Sequence, residues 1–455
     1  MGRHNAALMR AIVIGAGEVG LNVAATLIAD GHEVTMVEAR QDRCEAMRAE
    51  LDALVIEGNG ASPRLLADAE AGSADLVAAV TEVDEVNVIA ALACRQLGTT
   101  TTIARVRDPD FFGPDESYAR DVLGIDFVID PDRATAADIA EAILLPGAVS
   151  VEYFGDGRLA LAEMIVTDSS PLPGQSLGKR DRPHPAYIVG VARDGEGRLA
   201  SPDFVPKVGD HLLVTAPKDC VRDAVAHLAG RTREVRRCVI FGGGKIGLQL
   251  AKLLEETTVR VTLLERDAAR SRVLAEKLAK TTVLHDEGVS LEAQEAAGVD
   301  EADAFVACAG DDRANLLAAL NAKRTGADLC LSVVSRDEFT PLFDALEIDS
   351  AYSPRLIAAE AILRFVHTQT VRAIHLLRTG FEALEFEVQP GAPIAGKAIG
   401  ETHGMLHGCR VGMVLRGDQS LVPARGMEIM TGDRLLMLGV SGALAGVEPK
   451  FAGSE

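Results

Sequence analysis

Tryptophan is absent from this sequence, and aromatic residues of all kinds make up only 4% of it. That scarcity argues against stacking platforms for bases or sugars. Basic residues are also in short supply, 46 against 67 acidic ones, and the formal net charge of −21 argues against non-specific binding to nucleic acid or to an anionic membrane surface. The seven cysteines (Cys44, Cys94, Cys220, Cys238, Cys308, Cys330 and Cys409) include no C-x-x-C pair, and the ten histidines form no H-E-x-x-H cluster. Reduced thiols are therefore expected rather than disulfides, and no metal centre. No apolar run approaches the roughly 18 residues that a membrane span needs. The start, Met1 to Ala6, lacks an apolar signal core and has Ala6 where a myristoylation motif places Ser or Thr. Met9 stands directly before the first apolar run and is itself a plausible start. A cytosolic protein is the expectation.

What is present is ample apolar material, 48% of 455 residues, enough for about three ordinary domains. The first organised stretch is Ala11-Ile12-Val13-Ile14-Gly15-Ala16-Gly17-Glu18-Val19-Gly20, a short apolar strand running into a G-x-G-x-x-G turn and then into residues with helical spacing. Gly15 permits the tight turn, Gly17 lets backbone amides approach a pyrophosphate, and Gly20 lets helix and strand pack closely. The positive pole of the new helix favours the ligand's negative charge. A second strand, Glu33–Val37, ends in Glu38, 18 residues (38 − 20) past the last glycine. A carboxylate there accepts both ribose hydroxyls of an adenosine and repels a 2′-phosphate.

The pattern is written twice. Gly15–Gly20 recurs as Gly242-Gly243-Gly244-Lys245-Ile246-Gly247, an offset of 227 (242 − 15), and Glu38 recurs as Glu265 at the same offset. Ala79–Asn87 aligns with Ala307–Asn315 at 228, and Gly174–Gly178 with Gly396–Gly400 at 222. The order is A-B-A-B, with halves of about 225 residues. In the first A unit, apolar runs at 11–14, 33–38, 54–57, 76–81, 102–106 and 127–129 alternate with helical segments. This predicts a doubly wound, Rossmann-like parallel sheet. The B units alternate polar and apolar residues between Pro/Gly turns and predict small α+β lobes.

The fold class is thus α/β, with two Rossmann-like sheets each followed by a small α+β lobe. Boundaries are expected at 9–130 and 236–350 for the nucleotide-binding lobes, 131–149 and 351–379 for helical connectors, and 150–230 and 380–455 for the small lobes. The second connector, Pro354–Leu377, sets Leu356, Ala359, Leu363 and Val366 along one stripe, which packs on its own domain or on another subunit.

An oxidoreductase needs a second domain that presents an acid/base to the nicotinamide. The candidates in the first small lobe, His184, His211 and His227, read instead as solvated or structural. No G-x-S-x-G or Walker lysine is present. At the ends of the central strands, Thr81, Glu82 and Arg105 face the expected crevice. Arg105 either reaches a phosphate or is a solvated edge charge, and Asn87 either caps a turn or touches ligand. Arg105 is replaced by Val333 in the second half, and Asn59 by Glu287, so the first site is expected to bind better.

The motifs VIGAGEVG, GNGASPRLL (Gly58–Leu66), AVTEVDEVN, IARVRDPDF (Ile103–Phe111), FGGGKIG (Phe241–Gly247) and LLERD (Leu263–Asp267), in this order, resemble the TrkA family. Its members carry two copies of the RCK (regulator of potassium conductance) module. The resemblance covers essentially the whole chain. It implies a non-catalytic regulatory subunit, cytoplasmic and peripheral on the inner membrane face. Such a subunit gates a membrane-embedded, potassium-translocating Trk-type partner, assembles as a homo-oligomeric ring (four copies expected) and binds no nucleic acid. The implied ligands are NAD(H) and ATP or ADP. Carried over by motif, the first site uses Gly15, Ala16, Gly17, Glu18, Val19, Gly20, Glu38, Thr81, Glu82 and Arg105. The second uses Gly242, Gly243, Gly244, Lys245, Ile246 and Glu265. The sequence Asp286-Glu287-Gly288 departs from the Gly-Asp common in the family's second half, which puts occupancy of that site in question. The alternatives are a duplicated NAD-dependent oxidoreductase and a nucleotide sensor serving another transporter.

Overall fold

The computed structural model describes residues 9–453 apart from 30, 109–110, 112–121, 146, 180–184, 194–195, 231–234, 337–338, 347, 371–372, 377–380 and 441–442. His184 and residues 1–6 therefore lie outside the described residues. The chain opens with β1 (Arg10–Ile14), α1 (Glu18–Ala29), β2 (Glu33–Glu38), α2 (Gln41–Glu50), β3 (Leu54–Glu57), α3 (Pro63–Asp68), β4 (Leu76–Ala79), α4 (Asp84–Leu97), β5 (Thr101–Arg105) and β6 (Phe127–Ile129). These strands form one parallel sheet in the order β3-β2-β1-β4-β5-β6. The order reverses between β1 and β4, so a crevice opens beyond their carboxyl ends. The continuous apolar runs follow from burial on both faces: Ala11 to Ile14 and Leu76 to Ala79 are all at most 3% exposed.

Next come α5 (Pro131–Leu144) and a five-stranded antiparallel sheet of β7 (Ala148–Phe154), β8 (Leu159–Ile165), β9 (Tyr187–Arg193), β10 (Glu196–Leu199) and β11 (His211–Pro217), closed by α6 (Lys218–Ala229). Its order is β10-β9-β11-β8-β7. The second half repeats the plan with β12 (Arg237–Phe241), α7 (Lys245–Glu255), β13 (Arg260–Glu265), α8 (Ala268–Lys277), β14 (Thr282–His285), α9 (Leu291–Ala296), β15 (Ala304–Ala307), α10 (Asp312–Thr325), β16 (Leu329–Val333), α11 (Thr340–Ala345) and β17 (Ser350–Tyr352). This parallel sheet runs β14-β13-β12-β15-β16-β17, the same order as the first. Then α12 (Pro354–Thr370) leads to β18 (Ala373–Leu376), β19 (Phe381–Glu387), β20 (Cys409–Arg416), β21 (Gln419–Leu421) and β22 (Arg434–Val440), ordered β18-β19-β22-β20-β21.

The chain divides into two compact units, each drawn from both halves. Among the described residues, 9–140 join 236–366, and 141–235 join those from 367 onward. In the first unit the two parallel sheets come together with α12. The buried stripe of that helix is Ala358, Ala359, Ile362, Leu363 and Val366, and it packs into the core of the first sheet beside Val13, Met36 and Ile103. Phe365 stacks on Phe127 with centroids 4.5 Å apart. The stripe thus covers the opposite half of the same chain, whereas the sequence left its own domain and another subunit as the choices. Leu356, expected in the stripe, is 36% exposed, and Ala358 and Ile362 take the inner positions. The helix also stops at Thr370 rather than Leu377. Ala373–Leu376 pair antiparallel with Phe381–Leu384, where the ladder satisfies their backbone groups.

In the second unit the two antiparallel sheets share one core, with Phe154, Leu161 and Leu213 from the first and Phe381, Met413 and Leu436 from the second. Small residues let them approach. A Cβ on Gly190 would lie 2.9 Å from Phe381 Cζ, and Thr215 Oγ1 donates to the Gly412 carbonyl at 2.9 Å. Charged groups close the rim: Arg434 pairs with Asp156 at 2.5 Å, and Glu385 accepts from the Gly155 amide at 2.8 Å.

Candidate functional site

A cleft of about 650 Å³ lies at the carboxyl ends of β1, β2, β4 and β5. That volume is within the usual range for a small-molecule site. Its floor is the first glycine turn. Gly15 adopts φ +107°, a left-handed conformation that a side chain would strain, and its amide donates to the Val37 carbonyl at 2.8 Å. Nothing lies within 4 Å of where a Cβ on Gly17 would stand, so the turn is open for a ligand to approach the backbone. Gly20 does not line the cleft. A Cβ there would sit 2.0 Å from the Gly15 carbonyl oxygen, so this glycine serves the packing of α1 against the turn. Val19 is buried and reaches the cleft wall from the turn.

Glu38 ends β2 and is 9% exposed. Its Oε2 accepts from the Ala16 amide at 2.7 Å and its Oε1 from the Arg40 amide at 2.9 Å. Each oxygen keeps a second lone pair, so the carboxylate is oriented by the backbone and still able to accept from ribose hydroxyls. Glu265 repeats the arrangement, accepting from Gly243 at 2.9 Å and Asp267 at 2.8 Å. Arg43 donates to the Ala16 carbonyl at 3.3 Å, and Arg270 donates to the Gly243 carbonyl at 2.9 Å. These two arginines stand at the repeat offset of 227 (270 − 43), a signal in the sequence that went unused.

Thr81 and Glu82 line the opposite wall with Val83 and Val86. The Thr81 hydroxyl is engaged by Asn87 Oδ1 at 2.7 Å. Asn87 is fully buried: its Oδ1 also accepts from the Thr81 amide, and its Nδ2 donates to the carbonyls of Thr81 and Arg105 at 2.9 and 2.8 Å. Asn315 makes the same bonds to Ala309 and Val333. The asparagine is therefore a clip between the ends of two neighbouring strands, with its donors spent on the backbone. Asp84 adds a second clip, accepting from the amides of Arg107 and Asp108 at 2.9 Å.

Arg105 and Arg107 point the cleft's chemistry toward anions. The Nε of each is buried without a hydrogen-bond partner, and burial holds the Arg105 guanidinium below its ordinary pKa, with neighbouring Arg107 adding to the effect. Arg105 Nη1 reaches the Thr81 carbonyl at 3.4 Å, and Arg107 Nη2 the Glu82 carbonyl at 3.2 Å. Unsatisfied guanidinium donors beside an open glycine turn fit a phosphate-bearing ligand. Asn59 also lines the cleft; both it and its counterpart Glu287 are exposed.

Three lining residues come from the other half of the chain: Ser335, Pro354 and Arg355. Arg355 Nη1 donates to Glu18 Oε2. In the second turn Gly242 adopts φ +109°, Gly244 is open, and Ile246 is buried. Lys245 Nζ donates to the Arg107 carbonyl at 3.3 Å, so each glycine turn meets residues of the opposite half. Cys308 lies beneath this turn, its Sγ donating to the Gly242 carbonyl at 3.4 Å; burial, with Glu265 nearby, pushes its thiol up to about 12.

Away from the cleft, His211 Nδ1 lies 2.6 Å from Glu163 Oε1 within the antiparallel sheet, a structural setting. His227 lies in the last turn of α6. Among the described residues no group of histidine, cysteine and carboxylate side chains is arranged to hold a metal, and no helix is long and apolar enough to cross a membrane.

Comparison with known proteins matches both parallel-sheet lobes and the second small lobe. The TrkA-N domain matches residues 11–131 and again 238–354, and the TrkA-C domain matches 383–452. The Trk system potassium uptake protein TrkA of Azorhizobium caulinodans is 30% identical over 452 residues, covering 97% of this chain and 98% of its own. That of Halomonas elongata is 30% identical over 94% of this chain and 95% of its own. Among solved structures, the GsuK RCK domain superposes with a TM-score of 0.64 at 20% identity, covering 96% of this chain and 94% of that one. The GsuK channel bound to NAD superposes with a TM-score of 0.64 at 21% identity, over 96% of this chain and 78% of that one. At these identities the superpositions establish the fold.

Proposed function

The chain belongs to the TrkA family of Trk-system potassium uptake proteins, and from that membership we propose that it is a nucleotide-binding regulatory subunit of a membrane potassium uptake system. The observation that carries this reading is the duplicated pairing of a glycine turn with an acid: Glu38 on the Ala16 amide and Glu265 on the Gly243 amide. In the first cleft, the Gly15–Val19 turn presents the amides of Gly17 to Val19, which with the guanidiniums of Arg105 and Arg107 take the phosphates. Gly15 and Ala16 spend their own amides on Val37 and Glu38 and set the turn, Glu38 takes the ribose, and Thr81 and Glu82 close the far wall. In the second, Gly242, Gly243, Gly244, Lys245, Ile246 and Glu265 play the corresponding parts. Val333 in place of Arg105 and Glu287 in place of Asn59 make it the weaker site. The ligands are NAD(H), ATP or ADP, all of which carry the adenosine 2′-hydroxyl that Glu38 reads.

The lobes assigned to this work are 9–130 and 236–350 for nucleotide binding, 131–149 and 351–379 as connectors, and 150–230 and 380–455 as small lobes. Copies of the chain assemble into a homo-oligomeric ring of four on the cytoplasmic face of the membrane-embedded Trk-type subunit. A ligand shifts such a ring only by binding one conformation better than another. A difference of about 1–3 kcal/mol per site, repeated around the ring, is enough to change the partner's open fraction substantially.

The reading is tested by titrating the full chain with NAD, NADH, ATP and ADP in a calorimeter and by co-purifying it with membranes carrying its partner. Saturable binding without turnover, together with retention on those membranes, is the expected outcome. Steady oxidation of NADH with a small substrate at enzyme-like rates would overturn it in favour of a duplicated oxidoreductase. Retention on a different transporter would leave the nucleotide sensor but replace its partner.

A further inference from the structure

We propose that Arg355 is a phosphate-reading residue that the second half's connector helix carries into the first half's cleft, and that Glu18 holds it there in the place of a phosphate oxygen. The proposal rests on the nucleotide reading of that cleft and adds how occupancy is registered outside it.

Position comes first. Arg355 is the second residue of α12 and lines the cleft although the glycine turn it faces is more than 330 positions earlier in sequence. It cannot drift far, because the same helix is anchored in the first half's core by Ala358, Ala359, Ile362 and Leu363 and by the stacking of Phe365 on Phe127. The partner of Arg355 is the second observation. Glu18 is the first residue of α1, where the helix amides and dipole favour an anion, and its carboxylate takes the Arg355 guanidinium. A carboxylate between a helix N-terminus and a guanidinium occupies the electrostatic place that a nucleotide phosphate would take.

The pair is built to exchange. Both side chains are partly exposed, 38% for Arg355 and 42% for Glu18, and an exposed ion pair contributes little to stability. A phosphate carries more charge and presents oxygens that match the guanidinium fork, so it displaces the carboxylate. The signs belong to this cleft: the repeat counterpart of Glu18 is Lys245 (an offset of 227) and that of Arg355 is Asp132 (an offset of 223), which reverses both charges. Phosphate capture therefore acts on α12, the element that leads on into the second small lobe.

The test is calorimetric titration of the full chain with ADP and with adenosine, comparing wild type, Arg355→Ala, Arg355→Lys, Glu18→Gln and the Glu18→Gln/Arg355→Ala double variant. Arg355→Ala is expected to weaken ADP roughly ten-fold or more, the scale of one charge-assisted hydrogen bond, and to leave adenosine unchanged. Arg355→Lys keeps the charge and falls between; it also serves if the alanine variant does not fold. Glu18→Gln removes the competitor and strengthens ADP, and that gain shrinks in the double variant. Equal ADP affinity in wild type and both Arg355 variants overturns the role of Arg355 while leaving the nucleotide reading intact, as does an equal loss of ADP and adenosine. A wild-type chain that binds neither ligand overturns the nucleotide reading itself.

Discussion

At the scale of single residues, the glycine turns and their acids were legible because every part of the signal is local. Strand, turn, helix and second strand lie within about thirty residues, and the geometry that Gly15 and Glu38 need is made by their own neighbours. Asn87 was only half legible, since a turn cap and a strand clip look alike in sequence; its recurrence as Asn315 was the available clue. Asn87→Ala leaves the Thr81 amide and the Thr81 and Arg105 carbonyls short of a partner. At about 1–3 kcal/mol for a buried group so stranded, the variant should unfold at distinctly lower urea concentration than wild type, and Asn315→Ala should behave alike. An unchanged urea midpoint would show that water replaces the clip. Glu38→Ala should weaken nucleotide binding more than Glu265→Ala does, by calorimetry; the reverse ranking would place the principal site in the second half. Acid sensitivity has its own residue. Burial works against ionisation of Asp210, but the Arg193 guanidinium at 2.6 Å and the Lys207 amide at 2.8 Å outweigh it and hold the carboxyl below its usual value. The folded chain then binds fewer protons than the unfolded one, so this contribution is present above the ordinary aspartate pKa of about 3.9 and is lost as pH falls through the lowered value. Asp210→Asn should flatten the fall in stability below about pH 4, followed by thermal unfolding across pH; an unaltered slope would remove Asp210 from the acid transition.

At the scale of elements, helix α12 shows where pattern stops informing. Its apolar spacing gave a stripe correctly, but spacing cannot say which surface a stripe meets. The partner here is the first parallel sheet, more than 200 residues away in sequence, whose central runs Ala11–Ile14 and Leu76–Ala79 are themselves buried. The stripe is also rotated from the one the sequence suggested, because Ala358 and Ile362 give a closer fit than the half-exposed Leu356. The two positions make a paired test. Ile362→Ala empties a fully buried site and should cost about 2–5 kcal/mol, whereas Leu356→Ala should cost far less. Thermal unfolding of both variants reads the difference, and equal shifts would mean that the helix rests on its other face. The same uncertainty explains the strand at Ala373–Leu376: a short apolar run beside a helix is equally compatible with either structure until β19 supplies a ladder to pair with.

At the scale of the whole molecule, the repeat reads in sequence as A-B-A-B, while the compact units sort it by kind, parallel sheets with parallel sheets and antiparallel with antiparallel. Over the described residues the chain therefore crosses between the units three times, near residues 140, 235 and 366, and each half contributes to both. Sequence order could not reveal this, because pairing of like lobes depends on complementary faces such as Gly190 against Phe381, which no linear pattern encodes. The sorting has a thermodynamic consequence. The nucleotide cleft belongs entirely to the unit of parallel sheets, so a ligand that binds only the folded state adds its free energy there, about 2.7 kcal/mol at a hundred-fold excess over Kd. Differential scanning calorimetry of the full chain should resolve two transitions, with saturating ADP raising one and leaving the other in place. A single transition raised by ADP would mean that the units unfold as one cooperative fold, and the binding energy of the cleft would then stabilise the small lobes as well.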